Sequence, residues 1–115
     1  ITMDGPPEIS GDNLGVRPME MLLLGVAGCT MIDVVTTLKK MRQELTHCET
    51  KVNAERADDH PKVFTDIHIQ FLVKGNGLDS KKVEKAITLS AEKYCSASIM
   101  LGKTASISHD FEILE

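Results

Sequence analysis

The sequence predicts an α+β domain built on one long apolar helix, and three features predict it. A helical stretch from Pro18 to Arg42 carries Met21, Leu22, Leu23, Leu24, Val26, Ala27, Met31, Ile32, Val34 and Val35 around a cysteine, Cys29. Two period-two stretches follow, Cys48–Arg56 and Val63–Lys74, separated by the turn-forming run Ala57-Asp58-Asp59-His60-Pro61, which is the pattern of a β-hairpin. A second helical pattern and a closing alternating stretch, Thr104–Leu114, complete the chain.

Taken in order, Ile1 to Met3 reads as the tail of a strand ended by the turn residues Asp4-Gly5-Pro6-Pro7. An irregular loop through Gly11-Asp12-Asn13 and Gly15 leads to Pro18, which suits a first helical position because its missing N–H is unneeded there. The first half of this helix is apolar on all sides, and polar Asp33, Thr36, Thr37 and Lys40 mark a wet face only in its second half. A chain of 115 residues has little else with which to cover such a helix. Gly25 and Gly28 each cost about 1 kcal/mol relative to alanine inside a helix, so they predict a second backbone approaching there.

In the hairpin, Cys48, Thr50, Val52 and Ala54 share one face of the first strand, and Ile67, Ile69, Phe71 and Val73 one face of the second. Asp79 or Ser80 is placed to cap the second helix, whose apolar positions are Val83, Ala86, Ile87, Ala91, Tyr94 and Cys95. Cys95 is expected on its inward face near its end. A short helical piece at Ala97–Leu101, closed by Gly102, precedes the final strand, where Ala105, Ile107, His109, Phe111 and Ile113 alternate. Residues 1–115 are read as a single domain, and a start on Ile1 suggests that N-terminal strands precede it.

Composition excludes several classes of function. The formal charge of -4 with scattered Lys and Arg argues against nucleic acid or an anionic membrane as partner. The apolar run Met21–Ile32 is shorter than the roughly 18 to 20 residues that span a bilayer, so no membrane partner is expected. Three cysteines at wide spacing fit reduced thiols, and hence a cytoplasmic protein, better than a disulfide scaffold. Neither metal-ligand spacing nor a phosphate-binding loop is present, so no resident cofactor is expected.

The thiols carry the chemistry. A thiol of pKa near 8.5 is about 3% ionised at pH 7, and lowering it to about 6 requires roughly 3.4 kcal/mol of preferential stabilisation of the thiolate. For Cys29 the helix dipole cannot supply this, because its effect fades within the first turn. Arg17 lies about 18 Å and Glu20 about 13 Å along the helix axis from their own Cys29. Each can approach such a thiol only across an antiparallel pair of these helices. Cys95, at a helix end of partial negative charge, is the poorer nucleophile and the better resolving partner. Buried cysteines are also common as plain packing residues. Cys48 with His47 reads as structural, His109 as a hydrogen-bonded core histidine, and His60 and His68 as turn and solvent-face residues.

The segments Arg17-Pro18-Met19-Glu20-Met21-Leu22-Leu23, Gly28-Cys29 and Ala91-Glu92-Lys93-Tyr94-Cys95-Ser96 resemble the OsmC-like branch of the OsmC/Ohr family of thiol-dependent peroxidases. The resemblance implies an intertwined homodimer with antiparallel sheets around two long central helices and active sites at the interface. It implies that Cys29 attacks an organic hydroperoxide or H2O2 to form a sulfenic acid, and that Cys95 resolves it. The resulting disulfide is then reduced by a lipoyl-type or other external dithiol. Family peroxidases carry a glutamate directly after the proline, where this chain has Met19 and then Glu20, and commonly a proline after the second cysteine, where it has Ser96. Their activating arginine lies in strands that precede Ile1 or barely overlap it. The catalytic set expected here is therefore Cys29 and Cys95, with Glu20 and Arg17 as candidates. Two other expectations stand beside it: a non-catalytic dimer binding a small apolar ligand, and a redox sensor that oxidises without turnover.

Overall fold

A computed structural model describes residues 1–114. It contains a sheet of three strands and a layer of helices, and its thinnest dimension of 19 Å has room for these two layers. A loop containing one 3-10 turn, Pro7–Ile9, leads into α1, Pro18–Lys40. Strands β1 (Glu44–Arg56) and β2 (Phe64–Asn76) follow, then α2 (Ser80–Leu89), a π turn (Ser90–Tyr94), α3 (Ser96–Leu101) and β3 (Ser106–Leu114).

Both termini of α1 are closed by its own residues. The Arg17 N–H donates to Glu20 Oε1 at 2.8 Å, satisfying one of the helix's orphan donors. At the other end the helix stops two residues short of the expected Arg42. The Gln43 N–H reaches Leu38 O and the Arg42 N–H reaches Lys39 O, with Arg42 at φ 61°. This is the Schellman arrangement, with arginine where glycine is usual.

The hairpin pairs as expected. β1 and β2 run antiparallel, with Thr50 opposite Phe71 and Val52 opposite Ile69. The inward residues of β2, Ile67, Ile69, Phe71 and Val73, are fully buried, while the matching face of β1 is half-buried. The antiparallel pairing expected for the sheets holds for β1 with β2, while β3 pairs with β2 in parallel, Phe71 opposite Phe111. Consecutive parallel strands need a crossover. Here α2, the π turn and α3 provide it, returning the chain to the end of the sheet from which β2 starts.

Helix α1 packs on β1 and touches α2, the π turn and α3. Val26, Ala27, Thr30, Val34 and Leu38 form its buried flank and join a core completed by Phe64, the β2 residues, Val83, Ala86, Ile87, Cys95 and Ala105. The opposite flank is open: Leu22, Leu24 and Ile32 are 47%, 52% and 65% exposed. A Cβ added at Gly25 or Gly28 would meet nothing within 4 Å, so within the described chain no backbone approaches these glycines. The helix is also longer and more apolar than the run counted in the sequence. Its 23 residues, with mean hydropathy 1.9 over the best 18, are enough by length and composition to cross a membrane. Of that window 28% is buried inside the described chain.

Candidate functional site

The π turn brings the two expected cysteines together. α2 begins with Asp79, whose Oδ1 accepts from the Lys81 N–H at 2.9 Å, and it buries Val83, Ala86 and Ile87. After Leu89 the helix widens by one residue, and the Cys95 N–H bonds to Ser90 O at 2.8 Å. Insertions of this kind are frequent at functional sites. This one points Ser90 into the core and turns Tyr94 outward, 52% exposed, although the helical period had counted Tyr94 among the inward positions.

Cys95 is therefore not the last residue of a helix but the residue before α3, and its Sγ accepts from the Ser98 N–H at 3.3 Å. The sequence placed it against a helix's negative end; instead it sits where an N–H faces the sulfur. It is fully buried. Burial pushes its thiol pKa up, the hydrogen bond from Ser98 pulls it down, and the neighbouring Cys29 pushes it up again.

The sulfurs of Cys29 and Cys95 and a carboxylate oxygen of Asp33 all lie within 4.8 Å of one another. Cys29 and Asp33 are one turn apart on α1 and so share a face. Cys29 is half-buried, on the border between the packed and the open flank. Asp33 is held from behind: the Ser90 hydroxyl bonds to Asp33 Oδ2 at 3.1 Å and lies 2.8 Å from Thr30 Oγ1. Thr30 and Ser90 are both fully buried, so this polar chain is one of the few inside the core. Sequence reasoning took Asp33 as a wet-face residue and passed over Ser90 and Thr30. The i, i+4 spacing of Cys29 and Asp33 was the signal available for the first; for the other two the π turn left none.

Arg17 and Glu20 are not brought to the thiols of their own chain. Glu20 closes the N-terminus of α1, and Arg17 Nη1 donates to Gly15 O at 3.4 Å. They border a separate surface depression with Asn13, Leu14 and Val16.

The remaining candidates fall elsewhere. Cys48 is half-buried in β1, and burial, with Glu49 adding to it, pushes its thiol up to about 11. Beside it, His47 Nε2 lies 2.8 Å from Glu49 Oε1 on the solvent side. His68 contacts Ser108 and Asp110 of β3. His109 was expected to be hydrogen-bonded, yet its Nε2 is buried without a partner. The ring stacks on Phe71 at 6.1 Å, and burial lowers its pKa.

Two cavities bear on the site. A cleft of about 330 Å³, lined by Asp33, Thr36, Thr37, Lys40, Leu89 and Tyr94, lies directly beside it. A larger one of about 810 Å³ opens between α2, α3 and β3, on Ile87, Ile107 and Phe111, and includes Ser98 and His109. Ser98 Oγ, like His109 Nε2, is buried there without a hydrogen-bond partner.

Residues 11–110 match the family model described as OsmC-like protein. The chain is 45% identical over 114 residues to Protein YhfA of Escherichia coli K12, covering 99% of this chain and 82% of that protein. The crystal structure of a hypothetical protein from Aquifex aeolicus is 34% identical, with a TM-score of 0.79 over 91% of this chain and 80% of that one. At 15% identity the fold is shared with an organic hydroperoxide resistance protein OsmC from Legionella pneumophila, TM-score 0.70, over 95% of this chain and 78% of that one. With its long helix, its three-stranded sheet and its cysteine pair in place, the chain belongs to the OsmC-like family.

Proposed function

We propose that this protein is a cytoplasmic, dimeric, two-cysteine peroxidase acting on organic hydroperoxides. One observation carries the reading: the sulfurs of Cys29 and Cys95, 66 residues apart in sequence (95 minus 29), lie within 4.8 Å of each other. Cys29 borders the open apolar flank and can meet a substrate. Cys95 is fully buried and its thiol is pushed up, which suits a sulfur that reacts second.

In this reading the Cys29 thiolate attacks the hydroxyl-bearing oxygen of the O–O bond. That bond breaks, the alkoxide leaves and takes up the proton the thiol released on ionising, and Cys29 becomes a sulfenic acid. The Cys95 sulfur then attacks the Cys29 sulfur, water leaves, and a disulfide forms. Rotation of the side chains closes the gap to the disulfide distance of about 2.05 Å. An external dithiol, lipoyl-type or other, returns both sulfurs to thiols by exchange.

The open flank of α1 supports the dimer. Exposed Leu22, Leu24 and Ile32 with the bare Gly25 and Gly28 form a surface on which a second copy of the helix fits closely. An antiparallel pairing would bring the partner's N-terminal turn, with its own arginine and glutamate, toward Cys29. This arrangement is what would give Arg17 and Glu20 a part in activating the thiol.

The test is stopped-flow consumption of cumene hydroperoxide with a dithiol reductant for the wild type, Cys29→Ser and Cys95→Ser. Loss of turnover in Cys29→Ser, with one oxidation and then stalling in Cys95→Ser, is the expected pattern. Equal rates in all three would sink the peroxidase reading. A wild type that oxidises once and stalls with physiological dithiols would make the protein a sensor. A monomeric mass by light scattering at micromolar concentration would remove the dimer. A second reading, a small-ligand binder, is favoured by the cavity of about 810 Å³ with its unpartnered Ser98 and His109.

A further inference from the structure

We propose that the reduced Cys29–Asp33–Cys95 cluster is a binding site for a thiophilic divalent cation of the Zn2+ class. The site uses the same thiols as the proposed reaction but requires no turnover, so it stands whether or not the protein reduces peroxides.

The donor set is the first argument. Two thiols and a carboxylate have donor atoms within 4.8 Å of one another, and sulfur with carboxylate oxygen is a ligand combination that suits zinc. Tetrahedral coordination with Zn–S near 2.3 Å and Zn–O near 2.1 Å places neighbouring donors about 3.5 to 3.8 Å apart. From the 4.8 Å limit each pair must then close by up to about 1.0 to 1.3 Å, a change on the scale of side-chain rotation.

The second argument is the support behind the donors. Cys29 and Asp33 project from one turn of α1, and Cys95 comes from the separate element facing it. A metal would therefore bridge two elements whose relative position the core already fixes. Ser90 Oγ holds Asp33 Oδ2, Thr30 is within hydrogen-bond distance of Ser90, and the Ser98 N–H holds Cys95 Sγ. Hydrogen bonds of this kind orient metal ligands and tune their basicity. The Asp33 carboxyl retains lone pairs for a cation, since the serine uses only one.

Access and geometry at the metal agree with this. The cleft of about 330 Å³ reaches the cluster at Asp33, and Cys29, only half-buried, leaves the cluster open on its thiol side. Metal binding and disulfide formation exclude each other, because the disulfide removes both sulfur donors. In the cell the cation would protect the pair from oxidation, and oxidation would release the cation.

The experiment is titration of reduced protein with Zn2+ against a chromogenic chelator, with Co2+ as a spectroscopic probe. The expected result is one Zn2+ per chain with Kd below about 1 µM, and a thiolate-to-cobalt charge-transfer band with tetrahedral d–d bands. Cys29→Ser should abolish binding, Asp33→Asn should weaken it at least about tenfold, and Cys48→Ser should leave it unchanged, with circular dichroism showing each variant folded. Protein oxidised by diamide, which is reduced to its hydrazine as the disulfide forms, should bind no zinc. The proposal is overturned by wild-type binding no tighter than about 10 µM, by stoichiometric binding that survives Cys29→Ser, or by binding lost in Cys48→Ser, which would place the ion at Cys48 instead. Zinc binding in a protein whose zinc-free, reduced form leaves hydroperoxide untouched would sink the peroxidase reading alone; turnover without zinc binding would sink this one alone.

Discussion

Cys95 and Cys48 are both shielded thiols, and they differ in the groups that stand around their sulfurs. Both thiols are shielded by the core, and burial pushes both up. At Cys48 the nearby Glu49 raises the thiol further. Cys95 has a second thiol and a carboxylate within 4.8 Å and an N–H on its sulfur. Burial alone marks a packing residue; convergence of reactive groups from separate elements marks a site.

The comparison breaks first on turnover. Cys29→Ser should lower hydroperoxide consumption at least about 1000-fold, as removal of a covalent nucleophile does, whereas Cys48→Ser should leave the rate within about twofold of wild type. Comparable losses in the two variants would dissolve the distinction between the cysteines.

A smaller effect is expected in alkylation. With its thiol at about 11, Cys48 should react with iodoacetamide about tenfold faster per unit of pH from 8 toward 11, since only the thiolate is nucleophilic. Mass spectrometry of the labelled peptide reads this directly, and a plateau below pH 9 would contradict it. The same shift sets a sign for stability. The folded pKa is raised above the unfolded value, so the contribution is intact below about pH 9 and is lost as pH rises toward 11. Denaturant midpoints should fall across that window, and fall less in Cys48→Ala.

Ser90→Ala sharpens the comparison at the Cys95 end. It strips Asp33 and Thr30 of their buried partner and should cost about 1 to 3 kcal/mol in urea unfolding. A loss below about 0.5 kcal/mol would mean that water replaces the hydroxyl. The smallest change is expected for His109→Phe, which removes a buried nitrogen without a partner and keeps a ring against Phe71. Stability should be unchanged or rise by up to about 1 kcal/mol, and a loss above 2 kcal/mol would show that Nε2 has a partner in solution.

Much of this fold is legible in the sequence because its elements follow period. Pro18 at the first position of α1, the alternation of Ile67, Ile69, Phe71 and Val73, the Asp79 cap and Gly102 closing α3 are local signals, and each lies where the pattern puts it. The failures also have local causes. The end of α1 at Lys40 rests on Arg42 in a left-handed conformation, which glycine would have announced and arginine did not. Tyr94 was misassigned because the π turn shifts the helical phase by one residue. The direction of β3 depends on how a crossover closes, which no alternation records.

What the sequence by itself determined is the pair of cysteine contexts, the helix that carries the first, and the family to which both belong. Periodicity and residue chemistry act over a few residues and survive in the one-dimensional record. Only the tertiary structure decided that Asp33, Ser90 and Thr30 stand with the thiols while Arg17 and Glu20 of the same chain cap a helix instead. The reason is physical. Which groups share a space of 5 Å depends on how α1 packs against the turn after α2, and that packing is fixed by the whole core at once.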